Sequence, residues 1–224
     1  MIIDIYSMVY NEESLFPEYL KFYRSRFPFA EFHIYDNGST DNTGYIASTE
    51  GCWMSEIDTG GEIRDDILLD FKNNYWKKSR ADWVIVCDID EWVDIHPFQL
   101  MEGISHFVSE GYDMVGGPDT EYGVRNPMYD KVNVFNPRLI KDINYSVGAH
   151  LANPKGKINP SLFKPKMYHM RYPDKETVVK RYQELESRQS KLNKENGFGI
   201  QYSSTEEQID KLFVELEEKK IKVR

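Results

Sequence analysis

Residues 84–93 read VIVCDIDEWV, an apolar run that leads into two aspartates, a glutamate and a tryptophan. WVIVCD (83–88) is too short and too uniformly apolar for an amphipathic helix and fits a strand buried on both faces. Carboxylates crowded at the exit of such a strand repel one another and are costly to desolvate unless positive charge sits between them. Asp88 and Asp90 are two residues apart, so at the end of an extended strand they point to the same side. Two carboxylates on one side suit a hard cation, Mg2+ or Mn2+, which takes phosphate oxygens as further ligands. An Asp-x-Asp alone is a common pattern, and a solvated loop after a core strand produces it equally well. The flanking sequence has to separate the two.

Working back towards the N-terminus, residues 2–9 read as a buried strand. Residues 14–26 set Leu15, Phe16, Tyr19, Leu20 and Tyr23 on one helical face, with Pro17 in the first turn. FHIY (32–35) is a second strand, followed by DNGSTDNTG, which is dense in turn formers. Asp41 is placed to cap a short helix leading to Glu50. CWMSEI (52–57) reads as a third strand, and residues 62–79 as a helix with Ile63, Ile67, Leu68, Phe71, Tyr75 and Trp76 on one face. This alternation predicts an α/β fold, a mostly parallel central sheet flanked by helices. Ligands bind at the carboxyl ends of such strands. YNEE (10–13), DNGSTD (36–41) and DIDE (88–91) are therefore expected on one edge of one sheet.

The pattern changes after residue 94. Pro97 is expected to open a helix through Val108, and YDMVGG (112–117) to be a strand. Residues 118–166 are proline-rich and irregular, with VNVF and RLI as short strands, and read as a lid-like loop. KMYHM (166–170) is strand-like. DKETVVKRYQELESRQSKL (174–192) is a charged helix, GFG breaks it, and Ser204 with Glu207 forms a capping box before a last helix ending near Lys219. Both C-terminal helices are polar on most faces.

The chain has 224 residues, 40% hydrophobic and 14% aromatic, enough for one domain with a sizeable core. A net charge of −9 and the lack of a Lys/Arg block argue against a nucleic-acid partner. Cys52 and Cys87 both lie in apolar runs and read as small buried hydrophobes, which implies no disulfide framework and a reducing compartment. The N-terminus lacks the basic region of a signal peptide, and no apolar run reaches membrane-spanning length. A cytoplasmic location is the expectation, and the sequons at Asn37 and Asn144 are then without consequence. Oligomeric state is not fixed by the sequence.

Taken together, Asn11-Glu12 after the first strand, Asp36 to Asp41 after the second, Lys72-Asn73 on a helix, and Asp88-Ile89-Asp90 after an apolar strand resemble the nucleotide-sugar-binding half of glycosyltransferase family 2 and its GT-A relatives. The form DIDEW is similar to the branch of small, family-2-like transferases. The resemblance covers residues 1 to about 95 and implies a nucleotide-sugar-binding half there. An acceptor-side half over 96–173 and a C-terminal helical extension over 174–224 would follow. It implies a metal-dependent, inverting transfer of a sugar from a UDP-sugar to a hydroxyl acceptor such as a glycan. Asp36 would contact the uracil or ribose, Glu12 would sit near the base, and Asp88 near the ribose. Asp90 would hold the Mn2+ or Mg2+ that bridges the phosphates. Lys72 stands where the family has arginine and would meet a phosphate as a point charge without the bidentate fork.

The resemblance also implies a late histidine at the metal, and His150 and His169 are the candidates; imidazole is an acceptable Mn2+ ligand beside carboxylates. An inverting transfer needs a carboxylate to take the acceptor's proton. Asp119 and Glu121, after a Gly-Gly pair, are candidates, and Glu91 is a third, with orientation of the metal ligands as its other role. The family's Glu-Asp pair has no recognisable counterpart. Two other classes compete. Haloacid-dehalogenase-like phosphatases also carry an apolar strand before Asp-x-Asp, but near the start of the domain and with Thr or Val where this chain has Trp92. A non-catalytic nucleotide-sugar or carbohydrate-binding protein on a transferase fold is the third class.

Overall fold

The structure, a computed structural model, describes residues 1–224. The first half alternates as the sequence predicts: β1 (Ile3–Val9), α1 (Phe16–Arg26), β2 (Glu31–Asp36), α2 (Thr43–Thr49), β3 (Trp53–Glu56), α3 (Asp65–Asn74) and β4 (Trp83–Val86). Then come β5 (Glu91–Asp94), β6 (His106–Val115), β7 (Tyr122–Arg125), β8 (Lys131–Phe135), β9 (Ile140–Asp142), β10 (Lys155–Gly156) and β11 (Lys166–Tyr172). The chain ends with α4 (Lys175–Ser187), α5 (Lys191–Glu195), α6 (Glu206–Lys219) and β12 (Ile221–Lys222).

Strands β3, β2, β1 and β4 lie side by side and all parallel. The sheet continues past β4 through antiparallel β8, β6, β7 and β12, while β11 runs parallel to β6 and antiparallel to β5. Alternation along β1 and β4 divides the core in two. Ile3, Ile5, Val9, Trp83 and Ile85 face α1, where Phe16, Tyr19, Leu20 and Tyr23 are buried against them. Tyr6, Val84 and Val86 face the other way, onto Phe71 and Trp76. Each such side chain contributes about 1.5–3 kcal/mol through burial. Two hydroxyls among them are paired: that of Tyr19 lies 2.6 Å from Ser7 Oγ, and that of Tyr23 accepts from the Val93 amide at 2.9 Å, while Trp76 Nε1 has no partner.

Three expectations are corrected. Pro97 opens only a single 3-10 turn, Pro97–Gln99, and not a helix through Val108. Gly103 there adopts φ +82°, and the following residues pair instead: Phe107 is in register with Val134 of β8, and Ser105 donates to the Asn159 carbonyl. β3 is exposed along its whole length, since it is the outer strand. At α2 the N-cap position belongs to Asn42, while Asp41 Oδ1 accepts from the Thr43 amide at 2.9 Å. The capping box of α6 is formed by Thr205 and Gln208, one residue later than Ser204 and Glu207.

The irregular segment 118–166 contains short strands. Its strand β8 is buried throughout and lies between β4 and β6, inside the sheet. The C-terminal helices, polar as they are, bury Val178, Tyr182, Ile209 and Leu216 against Val115 and Tyr172. No helix is long and apolar enough to cross a membrane.

Candidate active site: a carboxylate cluster at the carboxyl edge of the parallel strands

Parallel pairing carries the ends of β1, β2 and β4 to one edge, and the polar turns that follow them lock together. The β1–β2 register ends with Val9 opposite Asp36. Asn11, the next residue but one, takes a left-handed φ of +51°, a conformation asparagine tolerates better than most side chains. Its Oδ1 accepts from the Thr40 amide at 2.8 Å, and its own amide donates to Ser39 Oγ at 3.0 Å. Asp36 Oδ1 accepts from the Ser39 amide at 2.9 Å and from Ser39 Oγ at 2.6 Å. The Glu12 amide donates to Thr43 Oγ1 at 2.7 Å. Asn11 therefore acts on the backbone of the neighbouring turn, while Asp36 keeps its second oxygen free of these bonds.

The Asp-x-Asp segment is not extended, as the sequence reading assumed. β4 ends at Val86, and the Glu91 amide donates back to the Asp88 carbonyl at 3.0 Å, closing a tight turn. That turn, rather than strand alternation, sets both aspartates on the same edge. Each is held by its own cation. Asp88 Oδ2 accepts from Lys72 Nζ at 2.7 Å, and Lys72 is buried with only 5% of its side chain exposed. Asp90 Oδ2 accepts from Arg181 Nη2 of α4 at 2.9 Å, and the same nitrogen lies 3.9 Å from Glu12 Oε1. Burial disfavours the charge on both aspartates, yet these cations hold both carboxyls below their ordinary range. Glu12 has less compensation: burial, together with the charges of Asp90, Glu184 and Asp88, pushes it up to about 7 against the pull of Arg181.

His169 is the late histidine that the fold brings to this cluster. β11 sets it opposite Glu91 of β5 and Asp113 of β6. Its Nδ1 lies 3.0 Å from Asp113 Oδ1, and its Nε2 lies 3.6 Å from Asp90 Oδ2. Burial opposes a charged ring, but the two carboxylates outweigh it and raise the imidazole to about 9. Asn126 Nδ2 donates to the other oxygen of Asp113 at 2.7 Å, which orients the carboxylate. His150 lies one ring further out. The Tyr129 ring stands between the two histidines, 4.5 Å from His169 and 5.2 Å from His150.

Beneath the turn, Lys131 forms a buried ion pair with Glu91 Oε1. Glu91 is 2% exposed, and its second oxygen has no hydrogen-bond partner. Asn73 points elsewhere: its Oδ1 accepts from the Tyr145 amide at 2.8 Å, fastening α3 to the 145–153 loop. Asp119 and Glu121 are not brought to the cluster. β6 runs beyond Asp113 to Val115 before the chain turns, which leaves both residues exposed, and Glu121 pairs with Lys222 at 2.9 Å. Three participants were not foreseen from the sequence: Asp113, Lys131 and Arg181. A lone lysine opening the apolar run KVNVF was the available signal for Lys131.

Asp90 and His169 are the side chains suited to hold a divalent cation. The line Asp113–His169–Asp90 supports that fit: a carboxylate on one ring nitrogen fixes the tautomer that turns the other nitrogen towards a ligand. Asp88 and Glu12 supply further hard oxygens nearby. Three donor atoms within 4.8 Å of one another occur only in Asp4, Glu31 and His33, at the opposite, amino end of the strands. That group is remote from the polar turns.

No family model matches the chain. A curated relative, protein RfbJ of Shigella flexneri, is 25% identical over 117 residues, which is 52% of this chain and 84% of that one. Among solved structures, S. aureus TarS superposes with a TM-score of 0.51 at 14% identity, over 82% of this chain and 40% of TarS. Residues 1–349 of TarS in complex with UDP give 0.50 at 15% identity, over 84% of this chain and 65% of that one. The fold is GT-A-like. The chain spans less than two thirds of either TarS structure. In this GT-A-like chain the cluster occupies the sheet edge at which open α/β folds bind their ligands. The phosphatase alternative loses its footing, because the Asp-x-Asp follows the fourth strand rather than opening the domain.

Proposed function

We propose that this chain is a metal-dependent glycosyltransferase that moves a sugar from a UDP-sugar to a hydroxyl acceptor. The observation that carries the reading is the convergence of Glu12, Asp36, Asp88 and Asp90 on one sheet edge, backed by His169 with Asp113 behind it. UDP in the complex with residues 1–349 of TarS supports uridine diphosphate as the nucleotide. Asp36, with an oxygen left over from its own turn, is suited to the uracil or ribose, Glu12 would sit near the base, and Asp88 near the ribose. Asn11 and Asn73 serve indirectly, by fixing the turns on either side.

Asp90 and His169, with Asp88 nearby, would hold Mn2+ or Mg2+. When bound, such an ion neutralises the diphosphate as it becomes a leaving group. Lys72 holds the Asp88 carboxylate in its charged form, and Asp113 holds the His169 ring in orientation. Asp88, Asp90 and Glu91 are each paired with a cation in the free chain. A single displacement with inversion, as the family resemblance implies, is the proposed mode.

Thermal unfolding with UDP, GDP and CMP, with and without Mn2+, tests the reading. UDP at a hundred times its Kd should stabilise the fold by about 2.7 kcal/mol, and only with Mn2+ present. Asp90→Asn should abolish the shift. Release of free sugar from UDP-sugars by the wild type, lost in Asp90→Asn, separates a transferase from a protein that only binds. A chain that no nucleotide stabilises is not this enzyme.

A further inference from the structure

Arg181 has no part in the reading so far. It reaches the cluster from α4, well outside the parallel strands, and donates to Asp90 Oδ2, the same oxygen that faces His169 Nε2. Lys72, the cation on Asp88, is sealed under the edge. Arg181 stands at its mouth with 34% of its side chain exposed. The two differ accordingly in what they can do. Lys72 cannot withdraw without emptying a buried site, whereas Arg181 needs only side-chain rotations to release Asp90.

Its helix has independent anchors. Asp174 caps α4 by accepting from the Thr177 amide at 2.8 Å, and Val178 and Tyr182 are buried beneath it. At the far end the Arg188 guanidinium stacks on the Tyr10 ring and donates to the Gly61 carbonyl at 2.9 Å. α4 therefore stays docked over the edge whichever way Arg181 points.

We propose that Arg181 holds the place of the divalent cation on Asp90 in the free chain, and moves onto the donor diphosphate when cation and nucleotide bind. The inference rests on the functional reading above and adds to it a residue that works in both states. Two cations cannot share one carboxylate oxygen without strong repulsion, so an ion arriving at Asp90 displaces the guanidinium. The displaced guanidinium is left beside the incoming phosphates, whose oxygens match its planar fork. An arginine in this position keeps Asp90 charged and paired while the site waits. It also couples cation to nucleotide, because the cost of removing Arg181 from Asp90 is recovered only when a diphosphate receives it.

The test is a pair of affinities that move in opposite directions. In Arg181→Gln, Mn2+ alone, titrated by electron paramagnetic resonance without nucleotide, should bind about tenfold more tightly than in the wild type, a change of roughly 1.4 kcal/mol. UDP titrated calorimetrically at saturating Mn2+ should bind about tenfold more weakly. Arg181→Lys keeps the charge without the fork, so its Mn2+ affinity should stay near that of the wild type while UDP affinity falls. A merely structural arginine would weaken both affinities or neither. Mn2+ binding equally well to wild type and Arg181→Gln overturns the place-holding role and leaves the functional reading intact. Unchanged UDP affinity overturns the second half of the inference. Failure of both proteins to bind Mn2+ overturns the cation site itself, and the inference with it.

Discussion

Lys131 and Glu91 show how the site is held at the level of single residues. Both side chains are buried, at 4% and 3% exposure, and they form the ion pair that lies under the Asp-x-Asp turn. Lys131 also helps to keep Asp88 and Asp90 charged. A buried pair adds little net stability over apolar residues of the same shape, but removing one partner strands the other charge in a low dielectric. Lys131→Met should therefore cost about 3–5 kcal/mol, because Glu91, with one oxygen already unpartnered, is left uncompensated. The double change Lys131→Met with Glu91→Met should recover most of that loss. Urea unfolding of the two single variants and the double variant measures the coupling. A Lys131→Met chain within 1 kcal/mol of the wild type would mean that the pair is effectively solvated.

At the level of elements, the two halves of the sheet differ in how much of them the sequence reveals. β1, β2 and β4, with the helices between them, announce themselves locally, through apolar runs, helical faces and turn-forming segments that each span a few residues. The polar turns after them could be placed on one edge because parallel pairing leaves no other arrangement. β6 and β11 are partly legible as YDMVGG and KMYHM, but nothing local says which strands they lie beside. His169 meets Asp113 only because β11 lies beside β6, a pairing between residues 56 apart in sequence, so Asp113 was not recognisable as a partner. The helix expected after Pro97 failed for the same reason: pairing with β8 overrode the local pattern. Arg181 was hidden because a charged helix reads as solvated until something docks beneath it. β6 itself depends on Gly111, around which the 125–130 turn wraps: the Gly111 carbonyl accepts from the Asn126 amide at 2.9 Å, and its amide donates to Asp130 Oδ1 at 3.0 Å. A Cβ added there would lie 2.7 Å from the Tyr129 carbonyl oxygen, a backbone atom that cannot swing aside. Gly111→Ala should accordingly cost about 1–3 kcal/mol and shift Tyr129 away from His169, seen as a lower urea midpoint with unchanged m.

At the scale of the whole molecule, the C-terminal helices are tied to the sheet at several separate places. β12 pairs with β7, and Val223 belongs to the same core as Trp92 and Tyr168. Asn193 of α5 donates to Asp65 Oδ2 at 2.9 Å and accepts from the Asp65 amide at 3.2 Å, which closes the N-terminus of α3. The Ile63 amide donates to the Arg188 carbonyl at 2.7 Å, and Arg181 reaches Asp90. Residues 174–224 thus bridge from β6, β7 and β11 across the carboxyl edge to the start of α3, and cover Val115 and Tyr172 on the way. An appendage joined by one small polar contact would melt on its own. One joined through the main core and through the site should melt with the rest. Differential scanning calorimetry of the ligand-free chain should therefore give one transition, with calorimetric and van't Hoff enthalpies equal. At about 0.7 kcal/mol per residue near 60 °C, the 224 residues correspond to roughly 150 kcal/mol. Two resolved transitions, the smaller abolished by deleting residues 174–224, would make those helices a separate unit. Arg181 would then reach Asp90 only while that unit is docked, and Mn2+ affinity would change at the temperature of the smaller transition.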